Sequence, residues 1–207
     1  DDVLGDDLAA VGESVVFVLV DGLGQELLDF RGQGGFLASH HRRELRAVFP
    51  STTATVLSSL ATVRWPAEHA VTGWFTRLPD RGLTALPLPL TEQESGGTLP
   101  FGPEDIVMAA PIQDSFSAAS RTLLPHDLVE TRYSLWARAG RPALGYASLW
   151  QMVRRAVRVV RGSGSPVFVY LYVPLVDSLS HRHGPGSEVV ALAVEQVDRA
   201  LERLAER

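Results

Sequence analysis

Two uninterrupted apolar runs dominate the hydrophobic pattern of the chain: SVVFVLV at residues 14–20 and SPVFVYLYV at residues 165–173. Short continuous runs of Val, Phe and Tyr between turn residues predict β-strands that are buried on both faces. An aspartate follows each run, Asp21 directly and Asp177 after a short PLV segment. In an α/β sheet, binding and reacting groups lie beyond the carboxyl ends of the strands, so both aspartates are candidate site residues.

Helices are predicted where apolar residues recur at intervals of three and four positions. The last such segment contains Val190, Val194, Val197, Leu201 and Leu204. The other predicted elements are a short helix around QELLDF, a third strand at LRAVF (residues 45–49), a helix that begins near Thr52 or Thr53 with Val56, Leu57 and Leu60 at helical spacing, and an amphipathic helix at residues 148–160. This alternation predicts an α/β fold, with a mainly parallel central sheet and helices on both faces.

The composition changes between Thr76 and Pro103, where Pro and Gly are frequent and hydrophobic periodicity is weak. We interpret residues 76–147 as an inserted cap or substrate-specificity region rather than as a linker between independent domains. On this interpretation, residues 1–207 form a single catalytic domain.

Composition and charge exclude several classes of protein. Of the 207 residues, 45% are hydrophobic and 21% are charged, which is typical of a globular domain with a sizeable core. No segment is long and apolar enough to predict a transmembrane helix. The net charge of -5 argues against a partner such as a nucleic-acid duplex. Because the chain contains no Cys, disulfides and Cys-ligated zinc are excluded, while the cellular compartment stays open.

Three features are predicted to meet at one edge of the sheet. They are Asp21, the Ser/Thr cluster PSTT before the predicted helix, and Asp177 with His181 four residues later. Carboxylate oxygen and imidazole nitrogen are donors that zinc accepts, and a hydroxyl at a helix N-terminus lies where negative charge is favoured. A simpler interpretation also exists for each feature: Asp177 and PSTT cap helices, and His181 is a surface residue.

The motifs resemble those of a known family in sequence and order. VLVDGLG, FPSTTATVLSSLAT with PAEHAVTG after it, and YVPLVDSLSHRHGPGSEVVALAVEQVDRALERL are similar to successive motifs of the type I phosphodiesterase/nucleotide pyrophosphatase family, in the alkaline phosphatase superfamily. The final block, with D-x-x-x-H-x-x-G-P before a helix that contains Val-Asp, is the most specific. Residues 76–147 match poorly. The resemblance implies an alkaline-phosphatase-like fold and hydrolysis of phosphodiester or nucleotide pyrophosphate bonds in small molecules.

The resemblance also implies a role for individual residues. Thr53 is at the position of the covalent nucleophile, and Thr52 is the reserve candidate. Asp21 and Thr53 would belong to one zinc site, and Asp177 and His181 to a second, with other divalent metals such as Mn2+ as alternatives. Two such ions stabilise the attacking and leaving oxygens of an in-line displacement. His69 matches a histidine common in the family motif, and we expect structural hydrogen bonding rather than metal ligation there. For His183, the GPGS segment that follows predicts a role beside the metal ligands or facing solvent.

The chain departs from the family pattern at several positions. Val56 is at the position of an Asn that helps to hold a phosphate oxygen. Glycines expected near Val63 and Ala70 are replaced, which predicts local differences in the backbone. The family pattern places a later Asp-His pair and a later His beyond the residues of this chain, so the resemblance predicts a chain that is truncated at its C-terminus.

These departures keep a second class of function open. A degenerate or truncated relative that keeps the fold and binds phosphate or a protein partner would explain the missing ligands and Val56. Within the same superfamily, a phosphomonoesterase, a phosphonate hydrolase and a manganese-dependent mutase use similar metal arrangements. A dinucleotide-binding domain is disfavoured, because Gly22 and Gly24 lack the third glycine of that fingerprint and Asp21 would repel a pyrophosphate.

Overall fold

The computed structural model describes residues 14–31, 34–116 and 119–207. It divides into two compact units. The first unit contains the chain up to Glu44 together with Ala118–His126 and Ala143–Arg207.

The second unit contains Leu45–Ser117 and Asp127–Pro142. None of the helices in the described parts of the chain combines the length and the apolarity that a membrane crossing requires. The interpretation of residues 76–147 as a cap stays a prediction.

A four-stranded parallel sheet organises the first unit. Its strands are β1 (Val15–Val20), β5 (Ala119–Pro125), β6 (Ala143–Tyr146) and β7 (Val167–Val173), in the spatial order β1-β7-β5-β6. The pairing of β1 with β7 runs from Val15 opposite Phe168 to Val20 opposite Val173. The two apolar runs therefore form neighbouring parallel strands, which confirms the predicted sheet and places the ends of both runs side by side.

Helices of the first unit surround this sheet, in agreement with the predicted α/β class. They are α1 (Gln25–Arg31), α2 (Phe36–Ser39), α6 (Leu149–Gly162), α7 (Leu175–His183) and α8 (Glu188–Ala205). The apolar faces of α6 and α8 contact each other, and both contribute to a core with β7. Fully buried members of this core include Met152, Val169, Leu171, Val173, Val190, Val194 and Val197. The predicted periodicity of α8 is thus confirmed.

A buried carboxylate connects α2 to α8. Asp198 accepts hydrogen bonds from the backbone N–H groups of Phe36 at 2.9 Å and Leu37 at 2.7 Å. Because a Cβ at Gly35 would lie 2.7 Å from an Asp198 carboxylate oxygen, the glycine leaves room for this contact. The aspartate in the final motif therefore has a structural role, since it holds a distant segment against the last helix.

The second unit has its own sheet and core. Three short antiparallel strands, β2 (Thr76–Leu78), β3 (Leu83–Leu86) and β4 (Thr91–Glu92), form the sheet. Its helices are α3 (Thr53–Thr62), α4 (Pro66–His69) and α5 (Arg132–Ala137). The core contains Ala54, Val71, Ala85, Leu90, Leu99, Ile106 and Val107. The sequence analysis did not predict this small sheet, because hydrophobic periodicity is weak in this part of the chain.

The predicted strand at residues 45–49 is wrong. These residues have no regular secondary structure, and Leu45 and Phe49 are 72% and 90% exposed. An apolar run becomes a strand only where another strand accepts its hydrogen bonds, and within the described residues this segment pairs with none.

Candidate active site

Asp21 and Asp177 lie together just beyond the ends of β1 and β7. The backbone N–H of Asp21 donates to the carbonyl of Val173 at 2.9 Å, which extends the ladder by one residue. The backbone N–H of Asp177 then donates to the carbonyl of Asp21 at 3.1 Å. Two residues that are 156 positions apart in the sequence are therefore joined directly through their main chains. This is the edge of the sheet at which the sequence predicted them to meet.

Gly22 makes this close approach sterically feasible. Its φ angle of 76° is in the left-handed region, and a Cβ at this position would lie 2.6 Å from both the Cα and the N of Asp177. Any side chain would meet backbone atoms, which cannot rotate away. The glycine of the VDG turn is thus required by its conformation and by its neighbour.

The environment of Asp177 affects its pKa. Burial raises the pKa of Asp177, the nearby negative charge of Asp21 raises it further, and His181 opposes this effect by lowering it. The hydroxyl of Tyr172 donates to Asp21 Oδ2 at 2.6 Å. Burial raises the pKa of Tyr172 strongly, and its hydrogen bond to Asp21 adds to this effect. Tyr172 therefore stays protonated and acts as a donor.

His181 lies on the same helix as Asp177. Asp177 is in the first turn of α7 and His181 follows one turn later, so both side chains lie on one helix face. His181 Nε2 is 3.5 Å from Asp177 Oδ1, and the His181 side chain is 80% exposed. His183 is the last residue of α7 and is exposed.

Thr53 belongs to the second unit, where it is the first residue of α3. Thr52 is the N-cap residue, as expected, but its hydroxyl makes no capping bond to the backbone. Instead, Thr52 Oγ1 lies 3.1 Å from Thr55 Oγ1. Of the four predicted site residues, the first unit brings together Asp21, Asp177 and His181, and Thr53 marks a helix N-terminus in the second unit.

The buried face of α3 differs from the predicted one. The buried residues are Ala54, Thr55, Ser58 and Thr62, whereas Leu60 is 36% exposed. Ser58 Oγ lies 3.2 Å from the Tyr133 hydroxyl, and Thr62 donates to the carbonyl of Ser58 at 2.7 Å. Small and hydroxyl-bearing residues form the packed face of this helix, because their polar atoms find partners inside the unit.

His69 forms a structural hydrogen-bond network, as predicted. It is fully buried, its Nδ1 accepts from the backbone N–H of Val71 at 3.1 Å, and its Nε2 lies 2.8 Å from Ser59 Oγ. With Nδ1 as the acceptor, the neutral ring carries its proton on Nε2 and donates to Ser59. Burial lowers the pKa of His69, although its own backbone and Glu68 act in the opposite direction.

Val63 and Ala70 adopt left-handed backbones at the ends of α3 and α4, with φ angles of 53° and 66°. This is the conformation that glycine adopts without strain. The predicted difference from the family backbone at these two positions stays a prediction. The structure keeps a glycine-type turn and accommodates a side chain in it.

The donors at the sheet edge suit a metal ion in type and charge. Asp21 and Asp177 supply carboxylate oxygens and His181 supplies an imidazole nitrogen, all of which zinc accepts. Burial raises the pKa of Asp177 most, and the neighbouring Asp21 carboxylate adds to this effect, a repulsion that a cation would relieve. Within the described residues, however, no three or more His, Asp or Glu side chains are grouped closely enough to hold one ion.

The sequence interpretation missed Tyr172 as the partner of Asp21. The alternation of Tyr170 and Tyr172 within an apolar run was the available signal, since a tyrosine in a buried strand needs a partner for its hydroxyl. Only the register between β1 and β7 identifies that partner as Asp21.

Comparisons with known proteins agree with this architecture. The chain is similar to the structures of murine ectonucleotide pyrophosphatase/phosphodiesterase 5, solved as an inactive variant with AMP (TM-score 0.67, 18% identity), and of the human protein of the same name (TM-score 0.67, 16% identity). In both comparisons 94% of this chain is covered, but only 52% of the solved chain, so the chain spans about half the length of these structures. Such low identity supports the fold alone. No curated protein matches the chain.

The family is shown by a sequence model rather than by these structures. The model for type I phosphodiesterase / nucleotide pyrophosphatase matches residues 15–207, from the first residue of β1 to the last residue of the chain. Because this match covers nearly the whole chain, the chain belongs to the type I phosphodiesterase/nucleotide pyrophosphatase family, in the alkaline phosphatase superfamily.

Proposed function

We propose that this protein is a metal-dependent hydrolase of phosphodiester or nucleotide pyrophosphate bonds and that it acts through a covalent intermediate on Thr53. The observation that supports this most strongly is the main-chain contact that holds Asp21 beside Asp177 at the ends of β1 and β7. Neighbouring carboxylates create a local negative charge that suits a divalent cation. Membership of the family adds independent support.

In this proposal, Asp21 and Thr53 hold one zinc ion, and Asp177 and His181 hold the other, with Mn2+ as an alternative. When bound, such ions polarise the phosphoryl oxygens and stabilise negative charge on the attacking and leaving oxygens. Catalytic zinc sites ordinarily take three protein ligands, so each ion needs at least one donor in addition to these residues.

Thr53 has a suitable position within its own unit for the nucleophile. It begins a helix of 10 residues, and the N-terminal N–H groups of a helix favour a bound phosphate. Thr53 Oγ1 attacks phosphorus and forms a new O–P bond while the bond from phosphorus to the leaving group breaks. The hydroxyl proton passes to solvent, and the departing oxygen takes up a proton from solvent. Water then cleaves the ester on Thr53, which releases the phosphate product and restores the hydroxyl.

The proposed substrates are small phosphodiesters or nucleotides. The murine structure contains AMP, and its inactive variant replaces a threonine with alanine. Both facts concern the murine protein, and they support a nucleotide substrate and a functional threonine here.

The first test compares Thr53→Ala with Thr52→Ala, its neighbour and the reserve nucleophile. We expect Thr53→Ala to lower kcat for bis(p-nitrophenyl) phosphate by at least about 10³-fold, because the attacking oxygen is lost. Zinc content, measured by atomic emission, should largely survive, and Thr52→Ala should keep kcat within about tenfold. Full activity of Thr53→Ala with loss in Thr52→Ala would move the nucleophile to Thr52. Faster hydrolysis of p-nitrophenyl phosphate than of the diester would contradict the proposed substrate class.

A non-catalytic relative that binds phosphate or a protein partner is the second candidate. It is favoured by the absence of three grouped metal donors in the described residues and by Val56 at the position of the expected Asn. Binding of AMP without turnover of diester, monoester or nucleotide pyrophosphate, in the presence of zinc or manganese, would support this candidate over hydrolysis.

A further inference from the structure

Tyr172 connects the buried sheet to the candidate site. Its side chain is 7% exposed, and its hydroxyl donates to Asp21 Oδ2 at 2.6 Å. Tyr172 is opposite Leu19 in the pairing of β7 with β1, so it reaches an aspartate two residues beyond its register partner. The side chain of Tyr172 therefore extends from its buried position in β7 to Asp21, just beyond the end of β1.

The main chain of Tyr172 is fixed independently of its side chain. The carbonyl of Val173 points toward β1, where it accepts from Asp21, so the preceding carbonyl of Tyr172 points toward β5. The pairing of β5 with β7 ends at Leu123 opposite Leu171. The hydroxyl of Tyr146, the last residue of β6, donates to the Tyr172 carbonyl at 2.5 Å. A side chain from β6 thus satisfies a carbonyl beyond the end of the strand pairing.

We propose that Tyr172 is a positioning residue that fixes the orientation of the Asp21 carboxylate toward a metal ion. The inference rests on the proposed function, in which Asp21 is a metal ligand. An aspartate side chain rotates about two bonds, and a hydrogen bond from a buried phenol restricts both rotations. Outer partners of this kind raise metal affinity because the ligand is held in its binding orientation before the ion arrives.

The contacts of Tyr172 restrict the movement of its side chain and backbone. Tyr172 is buried, and its backbone carbonyl accepts a hydrogen bond from the Tyr146 hydroxyl. The backbone N–H of Asp21 is itself held by the carbonyl of Val173. By contrast, Tyr170 lies two residues earlier in the same strand and stacks on Phe17, with ring centroids 5.9 Å apart. Tyr170 therefore offers a matched position at which a hydroxyl can be removed from the same strand.

The test is zinc affinity of the full protein, measured by calorimetry with a competing chelator. We expect Tyr172→Phe to raise the zinc Kd by about 10- to 100-fold, because the ring stays while the donor to Asp21 is lost. Tyr170→Phe should change the Kd by less than about twofold. Thermal unfolding of the metal-free variants shows whether either substitution damages folding, since a purely structural role would lower the melting temperature without a selective loss of zinc.

A third variant, Asp21→Asn, separates this inference from the proposed function. If Asp21→Asn loses zinc while Tyr172→Phe binds it as tightly as the unmodified protein, the positioning role is overturned and the metal site stands. If Asp21→Asn keeps full zinc affinity, the assignment of Asp21 as a ligand fails, and the positioning role fails with it. A selective loss in Tyr172→Phe together with loss in Asp21→Asn supports both.

Discussion

His69 shows how the environment of one side chain determines its protonation state. In the sequence it is one of 6 histidines and lies within a family motif. In the structure it is fully buried, with Ser59 and Val71 as partners for its two ring nitrogens. Charging the ring would put a proton on Nδ1, which now accepts a hydrogen bond, and burial makes the charge costly. The folded protein therefore holds His69 neutral.

This environment predicts a pH-dependent stability. Burial lowers the pKa of His69 from 6.5 in the folded state, so the unfolded chain takes up the proton first as the pH falls. Above pH 6.5 the contribution of the neutral ring to the free energy of unfolding should be fully present. Below pH 6.5 the free energy of unfolding should decrease, by at most about 1.4 kcal/mol per pH unit. In urea unfolding between pH 5 and 7, the free energy of unfolding should depend less steeply on pH for His69→Gln than for the unmodified protein. His41→Gln, at an exposed histidine, should keep the slope of the unmodified protein, and an unchanged slope in His69→Gln would contradict the prediction.

Helix α3 begins where the sequence predicted it, but the face that it buries differs from the predicted face. The Ser/Thr cluster predicted a helix that begins near Thr52 or Thr53, and the helix begins at Thr53. The apolar spacing, however, did not identify the buried face, because Ser58 and Thr62 satisfy their hydroxyls internally and pack inside. The helix ends at Val63, a β-branched residue with a φ angle of 53°. Left-handed backbone of this kind costs about 1–2 kcal/mol for a residue other than glycine.

Replacement of Val63 by glycine should therefore stabilise the protein. Val63 is 67% exposed, so its side chain loses little packing, and Val63→Gly should raise the free energy of unfolding by about 0.5–1 kcal/mol after the greater flexibility of the unfolded glycine is included. Ala61→Gly, inside the same helix, should lower it by about 1 kcal/mol, because a helical backbone gains nothing from glycine. Chemical denaturation measures both, and destabilisation by Val63→Gly would show that the left-handed turn stores no strain.

At the scale of the whole molecule, the first unit joins distant parts of the sequence. β1 lies near the start of the described chain and β7 more than 140 residues later, yet they are neighbours in one parallel sheet. Their ends bring Asp21 to Asp177, and Gly22 is in contact with the Asp177 backbone. Thr53 lies in the second unit, where it begins α3.

The junction of β1 and β7 predicts a large effect of a small substitution. Gly22→Ala should lower the free energy of unfolding by about 2–4 kcal/mol, because the new methyl group meets backbone atoms and the φ angle of 76° is unfavourable for alanine. Gly24→Ala is the matched control. A Cβ there has no neighbour within 4 Å, so we expect a change within about 1 kcal/mol in urea unfolding. Equal effects of the two substitutions would argue against the tight contact.

Local sequence patterns were sufficient to predict the α/β class, the strands β1 and β7, the helices α1, α3, α6 and α8, and the positions of the candidate residues. These features depend on local patterns: continuous apolar runs, periodic apolar faces and Ser/Thr at helix starts. The folded chain was needed to show that residues 45–49 form no strand, that β2–β4 form a sheet, and that the hydroxyl of Tyr172 donates to Asp21. The physical reason is that strand pairing and buried hydrogen bonds need partners from distant parts of the chain, which a local pattern does not specify.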